Sequence, residues 1–428
     1  MTLTEAASLT KKSVYYVGIP LGAIIVIWII IQMITPQATL PEKYITPDYL
    51  CGPLPKLELE SIEQPTSNTQ FNIETTTGAI PDLPKVVNVF KYNHPGQSLL
   101  ALEESKIIAE RLGFAPEIYT RKSVVEYEWQ NYDNGQTLII ETGNLNLNLT
   151  TDFTAPGSET YSHLLPSEEN AKSIAQSYLR SANLLTDDYQ DGDQRTYLVQ
   201  ITSSGELREA PSLSEADLIR VDFFRKEALI IIDPELVDTA EIGSTLQEKL
   251  EEEEEVTIRD EDQKSVKVKK YNTDVKNDSP IFGNISVLVG GREEEESRDF
   301  KIFGLTYQNW IISDSPCGTY GLISPEEAVR KVQEGEGTLV YLMEKNGDRI
   351  IPYASKSVSG MTILEVDIAY LDTSAKQTYL QPVYYIRGEA EFENGEFGEF
   401  YYYVPAIDYD AIPDDAGQQS PDEESSSE

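Results

Sequence analysis

Cysteine and histidine are close to absent from this chain, whose 428 residues hold two of each. That scarcity excludes a cysteine-rich zinc module and a disulfide-dense small domain, and it leaves little material for a histidine-based active site. Basic residues are scarce as well. Thirty-four Lys and Arg stand against 73 Asp and Glu, a net charge of −39. A surface of that sign repels a phosphate backbone, so no nucleic-acid partner is expected. Apolar and aromatic mass is plentiful: 40% of residues are hydrophobic, with 25 Tyr and 12 Phe, enough to build cores in spite of the acidity. At this length two or three folding units are expected.

Residues 14–34 carry no charge, and Gln32 is their strongly polar member. At about 1.5 Å per residue a helix of that length reaches roughly 30 Å, the thickness of a hydrocarbon core. The segment is therefore predicted to be a transmembrane helix in contact with cytoplasmic-membrane lipid. Lys11 and Lys12 precede it, so the positive-inside rule puts residues 1–13 in the cytoplasm and the rest of the chain in an extracytoplasmic compartment. The run is longer than the core of an ordinary signal peptide, and residues 35–39 are not a clean small-x-small site, which favours an uncleaved anchor over a cleaved signal. Gly18 and Gly22 add a small-residue motif for lateral helix pairing near its cytoplasmic end. Export opens a disulfide to Cys51 and Cys317; two unpaired thiols or a bridge to another chain are the alternatives.

Pro36, Pro41, Pro47, Pro53, Pro55, Pro65, Pro81 and Pro84 interrupt residues 35–84, which read as a stalk with a short strand at 71–73. Beyond it one pattern recurs. An apolar stripe through Ala101, Ile108, Ala109 and Leu112, stopped by Gly113, predicts a helix over 98–112, followed by hairpin strands at 123–130 and 137–142. Ser167 caps a second helix with Glu168 and Glu169 in its first turn, and strands follow at 196–201, 218–224 and 228–232. Ser324-Pro325-Glu326-Glu327 is a capping box opening a third helix, with strands at 338–344, 361–371, 381–387 and 399–404. The predicted fold class is α+β: a transmembrane helix, then repeated helix-plus-antiparallel-sheet units at 85–160, 161–315 and 316–412. Glutamate runs at 248–255 and 293–296 are predicted to be solvent-facing helix or loop, and residues 413–428 a disordered acidic tail.

The third unit carries a family resemblance. Leu322-Ile323-Ser324-Pro325-Glu326-Glu327-Ala328, Gly335-Glu336-Gly337, Ile368-Ala369-Tyr370-Leu371, the stretch from Tyr379 to Gly388 and Tyr402-Tyr403-Val404-Pro405-Ala406-Ile407 resemble the C-terminal module of YycH/YycI-type proteins. Those are single-pass bacterial membrane proteins whose extracytoplasmic helix-plus-strands units are similar to PepSY domains. The resemblance implies a non-enzymatic regulatory or scaffolding role, exercised in that family on a sensor kinase. It supplies no catalytic residues. The acidic inserts around Glu251 and Glu294 and the acidic tail depart from the pattern.

Motifs for chemistry are few. His94 lies in a turn and His163 just before the second helix, neither in a zinc-ligand spacing, so both are expected to be surface loop residues. Ser355-Lys356 reads as a polar loop pair rather than a nucleophilic dyad, and Gly335-Glu336-Gly337 is no phosphate loop because acidic residues flank it. Asp187-Asp188-Tyr189-Gln190-Asp191-Gly192-Asp193 has oxygen donors around a glycine, yet Tyr189 and Leu198 stand where a calcium loop needs donors. Phe223-Phe224, Tyr384-Tyr385 and Phe400-Tyr401-Tyr402-Tyr403 read mainly as strand packing. No catalytic residue, cofactor or metal site is expected. The predicted function is that of a membrane-anchored extracytoplasmic binding or regulatory protein with a protein partner in the membrane or envelope. An exported cell-wall hydrolase using a carboxylate pair is the alternative, since 73 acidic residues leave that chemistry open.

Overall fold

The computed structural model describes residues 46–62, 65, 70–94, 99–155, 164–232, 250–257, 265–291, 301–345, 347–351 and 356–417. Chain contacts divide the protein into residues 1–41 with 254–268, and residues 42–253 with 269–428. Of the first unit, the described residues 254–257 and 265–268 are extended strand. The second unit holds the two large sheets.

In chain order the elements begin with β1 (Gln70–Ile73), β2 (Val86–Lys91), α1 (Ala101–Arg111), β3 (Tyr119–Arg121), β4 (Glu126–Asn131), β5 (Gln136–Glu141) and β6 (Leu147–Thr151). Then come α2 (Glu168–Ala182), α3 (Asp187–Gln190), β7 (Gln194–Ile201), β8 (Leu207–Glu209), β9 (Leu218–Phe223) and β10 (Ala228–Ile232). The strands β11 (Leu250–Thr257) and β12 (Ser265–Thr273) follow, with β13 (Val275–Lys276), β14 (Ile285–Gly290), β15 (Lys301–Tyr307) and β16 (Gly318–Gly321) after them. The last elements are α4 (Pro325–Gln333), β17 (Thr338–Glu344), β18 (Val358–Leu371), β19 (Tyr379–Phe392) and β20 (Phe397–Pro405).

Nine strands form one sheet in the order β3-β4-β5-β6-β15-β14-β9-β7-β8. Helices α1 and α2 cover one face of it, burying Ile108, Ala109, Ala171, Ala175 and Leu179 against Trp129, Leu138, Val221 and Val287. Alternation explains the choice of face, because residues two apart along a strand point the same way. The eight-stranded sheet runs β1-β18-β19-β2-β16, with β13 on β18, and β17 reached through β20. Helix α4 seats Ala328, Val329 and Val332 on this sheet among Ile386, Phe400 and Tyr402. Fully burying a valine of this kind stabilises by about 1.5–3 kcal/mol. Ser324 caps that helix by accepting from the Glu327 amide at 3.2 Å, and Ser167 caps α2 through the Asn170 amide at 3.3 Å.

Several expectations are corrected. Among the described residues 41% are strand and 14% helix, so the fold is mainly β rather than α+β. Repeated helix-plus-sheet units do not hold, because long-range pairing overrides local order. Strand β6 pairs with β15 through Leu147↔Tyr307, Asn148↔Thr306 and Leu149↔Leu305, and β2 joins β16 and β19 in the other sheet. No helix among the described residues is long and apolar enough to cross a membrane, against the membrane and single-pass expectation. Residues 14–34, on which that span was placed, lie outside the described residues. From residue 46 the expected stalk docks on the eight-stranded sheet: Leu54 and Leu83 are buried in its core, and β1 pairs in parallel with β18. Proline blocks ladder hydrogen bonds but does not prevent packing. The acidic run contributes the strand β11 rather than a helix or loop, while residues 293–296 lie outside the described residues.

Candidate functional site: a groove on the open sheet face

Helix α4 covers the first face of the eight-stranded sheet. The opposite face is covered at one end only, where Ala369, Leu371, Val383, Tyr401 and Tyr403 bury against Leu57 and Ile281. That double coverage explains the unbroken burial of residues 366–371, a pattern expected of strands enclosed on both sides. Toward the other end the second face opens into a groove of about 810 Å³, lined by Tyr341, Met343, Arg387, Glu389 and Glu399 on the sheet. Its other wall is Glu209 of β8 with Asp348 and Arg349 of the β17–β18 loop.

Register places the floor residues in two rows. One holds Arg387 and Tyr341 together with Glu365 and Tyr401, which pair with them outside the lining, and the next holds Glu389, Glu399 and Met343 together with Thr362. Arg387 donates from Nε to Glu365 Oε2 at 2.8 Å and from Nη1 to Glu399 Oε1 at 3.4 Å, and the Tyr401 hydroxyl donates to Glu399 Oε1 at 2.6 Å. Tyr401 lies between Tyr341 and Tyr385, with ring centroids 5.4 and 5.2 Å away. Burial raises the pKa of all three phenols, so they act as neutral donors and as aromatic surface.

The opposite wall is a clasp. Arg349 bonds Glu209 through Nε and Nη2, while the Arg349 amide donates to Glu209 Oε2 at 3.1 Å. In return the Glu209 amide donates to Asp348 Oδ1 at 3.0 Å. The Arg349 guanidinium lies over the Tyr197 ring, 4.9 Å from its centroid. Burial pushes the Glu209 carboxyl up, but the Arg349 hydrogen bonds win and hold it below its ordinary value. The Lys356 ammonium, 2.5 Å from Glu344 Oε2, lowers Glu344 as well. Carboxyls pushed upward, Asp222 and Asp372, are fully buried in packed ion-pair networks.

The residues singled out in the sequence lie elsewhere. Cys51 and Cys317 form a disulfide, with Cα atoms 5.2 Å apart, tying the docked lead-in to the start of β16. Asp187–Gln190 is the short helix α3. Its Asp188 pairs with Arg225 and Lys226 and its Tyr189 is buried. Among the described residues no group of three or more His, Cys, Asp and Glu converges as a metal site. His94 lies in a loop and is half-buried, stacks on Tyr92, meets Trp310 edge-on, and its Nε2 touches the Gln377 carbonyl. His163 and Ser355 lie outside the described residues, and Gly335 ends α4 with φ +80°. Phe223, Phe224, Tyr384, Phe400, Tyr402 and Tyr403 are buried. Tyr385 and Tyr401, from the aromatic clusters, stand beside the groove, but the residues that line it were not singled out. Alternation along strands recognised in the sequence puts Tyr341 with Met343 and Glu399 with Tyr401 on common faces, but not beside one another, and Glu389 lies beyond the strand expected at 381–387.

No protein-family model and no curated protein matches the chain. Among solved structures it is similar to an uncharacterized protein from Eubacterium rectale, at 11% identity and a TM-score of 0.35 over 78% of this chain and 86% of that one. At that score the likeness assigns neither fold nor function.

Proposed function

We propose that this chain is an extracytoplasmic binding protein of regulatory or scaffolding type, and that the groove over Tyr341 and Arg387 takes a segment of a partner protein. The observation that carries this reading is the open end of an otherwise covered sheet face, where the neutral Tyr341, Met343 and ion-paired side chains surround about 810 Å³ of space. Clefts with apolar and aromatic surface and a few oriented polar groups are the usual form of a binding site. A disulfide closing 266 residues supports an oxidising compartment. The likeness of residues 322–407 to YycH/YycI-type proteins supports a regulatory role.

The hydrolase reading fares less well on one specific point. Acid–base cleavage of a glycoside needs a carboxyl held protonated near neutral pH. Glu209 and Glu344, at the groove, are both held below their ordinary values by cationic partners.

A photoactivatable phenylalanine analogue at position 341, and at position 72 on β1 as a control, tests the reading in intact cells. The expected outcome is a crosslinked polypeptide from position 341 only, abolished by Arg387→Ala. Equal crosslinking from both positions, or release of soluble sugar from purified wall polymer by the wild-type chain, would overturn it.

A further inference from the structure

We propose that the groove selects a cationic side chain, held between Glu389 and Glu399, from an extended partner segment whose apolar side chains reach toward a second hollow beside the clasp. This deepens the protein-binding reading above and rests on it.

Glu389 and Glu399 are direct cross-strand partners in the β19–β20 ladder. Like charges directly opposite one another destabilise a sheet, so the pair costs the free protein stability. Glu399 is answered in part by Arg387 and by the Tyr401 hydroxyl. Glu389 is exposed, and among the described residues no cation stands within ion-pair distance of it. The neighbouring acids are occupied, Glu209 by Arg349, Glu344 by Lys356 and Glu365 by Arg387. The lining as a whole has five carboxylates against three cations, so its excess charge is negative; of the two carboxylates without an ion pair, Asp348 accepts the Glu209 and Ile350 amides and Glu389 accepts from none of the described residues. An arriving Lys or Arg side chain removes the repulsion and gains a charge-assisted hydrogen bond. Two carboxylates alone are a poor cage for a hard divalent ion, which takes six or more oxygen ligands.

The apolar half of the specificity comes from the nine-stranded sheet. Its face away from α1 and α2 carries a hollow of about 350 Å³ lined by Phe153, Leu207, Leu288, Phe303 and Ile350. Gly304 leaves room at its floor, since a Cβ there would lie 2.8 Å from Leu288 Cδ1. Strand β8 and the β17–β18 loop serve both sites: Leu207 and Ile350 line the hollow, Glu209 and Arg349 the groove. A segment laid across the clasp therefore meets apolar surface on one side and negative charge on the other. That fits a polypeptide alternating basic and aromatic residues.

Fluorescence anisotropy on the full chain tests this with three labelled hexapeptides, (Lys-Phe)3, (Ser-Phe)3 and (Glu-Phe)3. The (Lys-Phe)3 peptide is expected to bind tightest and to weaken with salt. Glu389→Gln should weaken it about three- to fivefold, the scale of one exposed ion pair. Glu389→Lys should weaken it further. Because Glu389→Gln relieves the cross-strand repulsion, its melting temperature should hold or rise, which separates lost recognition from lost folding. Equal binding of all three peptides, sensitive to Tyr341→Ala but not to Glu389→Gln, overturns the charge selection and leaves the groove reading standing. Binding of no peptide in a Tyr341-dependent way overturns both. A dimer dissolved by Glu389→Lys, or a melting temperature that millimolar calcium raises in wild type but not in Glu389→Gln, assigns the pair to another occupant and overturns the proposal.

Discussion

Arg225 Nε donates to Asp372 Oδ2 at 2.9 Å, with both side chains buried where the end of β9 meets the end of β18. The same guanidinium bonds Asp188 Oδ2 at 2.6 Å, the Tyr189 hydroxyl at 3.1 Å, Asn309 Oδ1 at 3.2 Å and the Trp310 carbonyl at 2.8 Å. Asp372 in turn accepts from the Tyr92 hydroxyl at 2.8 Å and from Asn284 Nδ2 at 3.1 Å. One cation thus ties the nine-stranded sheet, the helix α3 and the eight-stranded sheet together. None of its partners is close to it in sequence, and Asp372, Tyr189 and Trp310 are buried while Asp188 is partly exposed.

Removing one member of a buried pair strands the other, at about 3–5 kcal/mol. Arg225→Ala should therefore lower the midpoint of urea unfolding by a large margin. Asp372→Asn should be milder, because burial already pushes that carboxyl above its ordinary range and an amide keeps an acceptor for Arg225. Equal losses for the two variants would contradict this account.

The Cys51–Cys317 bridge closes a loop of 266 residues. On the chain-entropy model such a loop contributes roughly 5 kcal/mol as an upper figure, through the unfolded state. Reduction by dithiothreitol, or Cys51→Ser, should lower the melting temperature while leaving far-ultraviolet circular dichroism unchanged. The lead-in also has contacts of its own, including the Tyr320 hydroxyl to the Gly52 carbonyl at 2.6 Å and the Thr319 amide to Asp48 Oδ1 at 2.7 Å. The reduced segment should therefore remain docked at low temperature. Its release on reduction, read as rapid proteolysis near residue 50, would count against those contacts.

Local structure was legible and pairing was not. The stripe and Gly113 predict a helix at 98–112, found as Ala101–Arg111, and the strand predicted at 338–344 is found as Thr338–Glu344. Those signals sit within one or two turns of the chain. The partner of Phe71, by contrast, is Met361, and that of Leu149 is Leu305. Nothing in either member of such a pair specifies the other, because any apolar alternating strand satisfies the same hydrophobic rule. The groove inherits that difficulty. Glu209, Tyr341, Arg349, Arg387 and Glu389 are ordinary residues on four stretches of chain, and only sheet order makes those stretches neighbours. Eight prolines between residues 36 and 84 suggested a stalk, where Leu54, Leu57 and Leu83 instead bury in cores.

The two helix caps make a matched test of how local those signals are. Ser167→Ala and Ser324→Ala each remove an acceptor from a helix N-terminus, and each should cost about 1 kcal/mol. At the other end of α2, Asn183 has φ +60°, a left-handed conformation that glycine and asparagine tolerate and β-branched residues do not. Asn183→Gly should be nearly neutral and Asn183→Val clearly destabilising, as read by urea unfolding.

The clasp should respond to acid. Burial works against the Glu209 carboxylate, but bidentate bonding from Arg349 outweighs it, so the folded-state pKa lies below the ordinary value of 4.5. A carboxyl depressed in the folded state contributes stability that is fully present above its unfolded pKa and lost as pH falls through the folded one. The difference in unfolding free energy between wild type and Glu209→Gln should therefore be constant from neutral pH down to about 5 and shrink below that. Protection of the Arg349 amide against hydrogen exchange, after correction for intrinsic rates, should fall in the same interval, because that amide donates to Glu209 Oε2. A difference that stays constant to pH 3 would mean that Arg349 does not alter the proton affinity of Glu209, and the wall of the groove would then owe its position to the Glu209 amide and Asp348 alone.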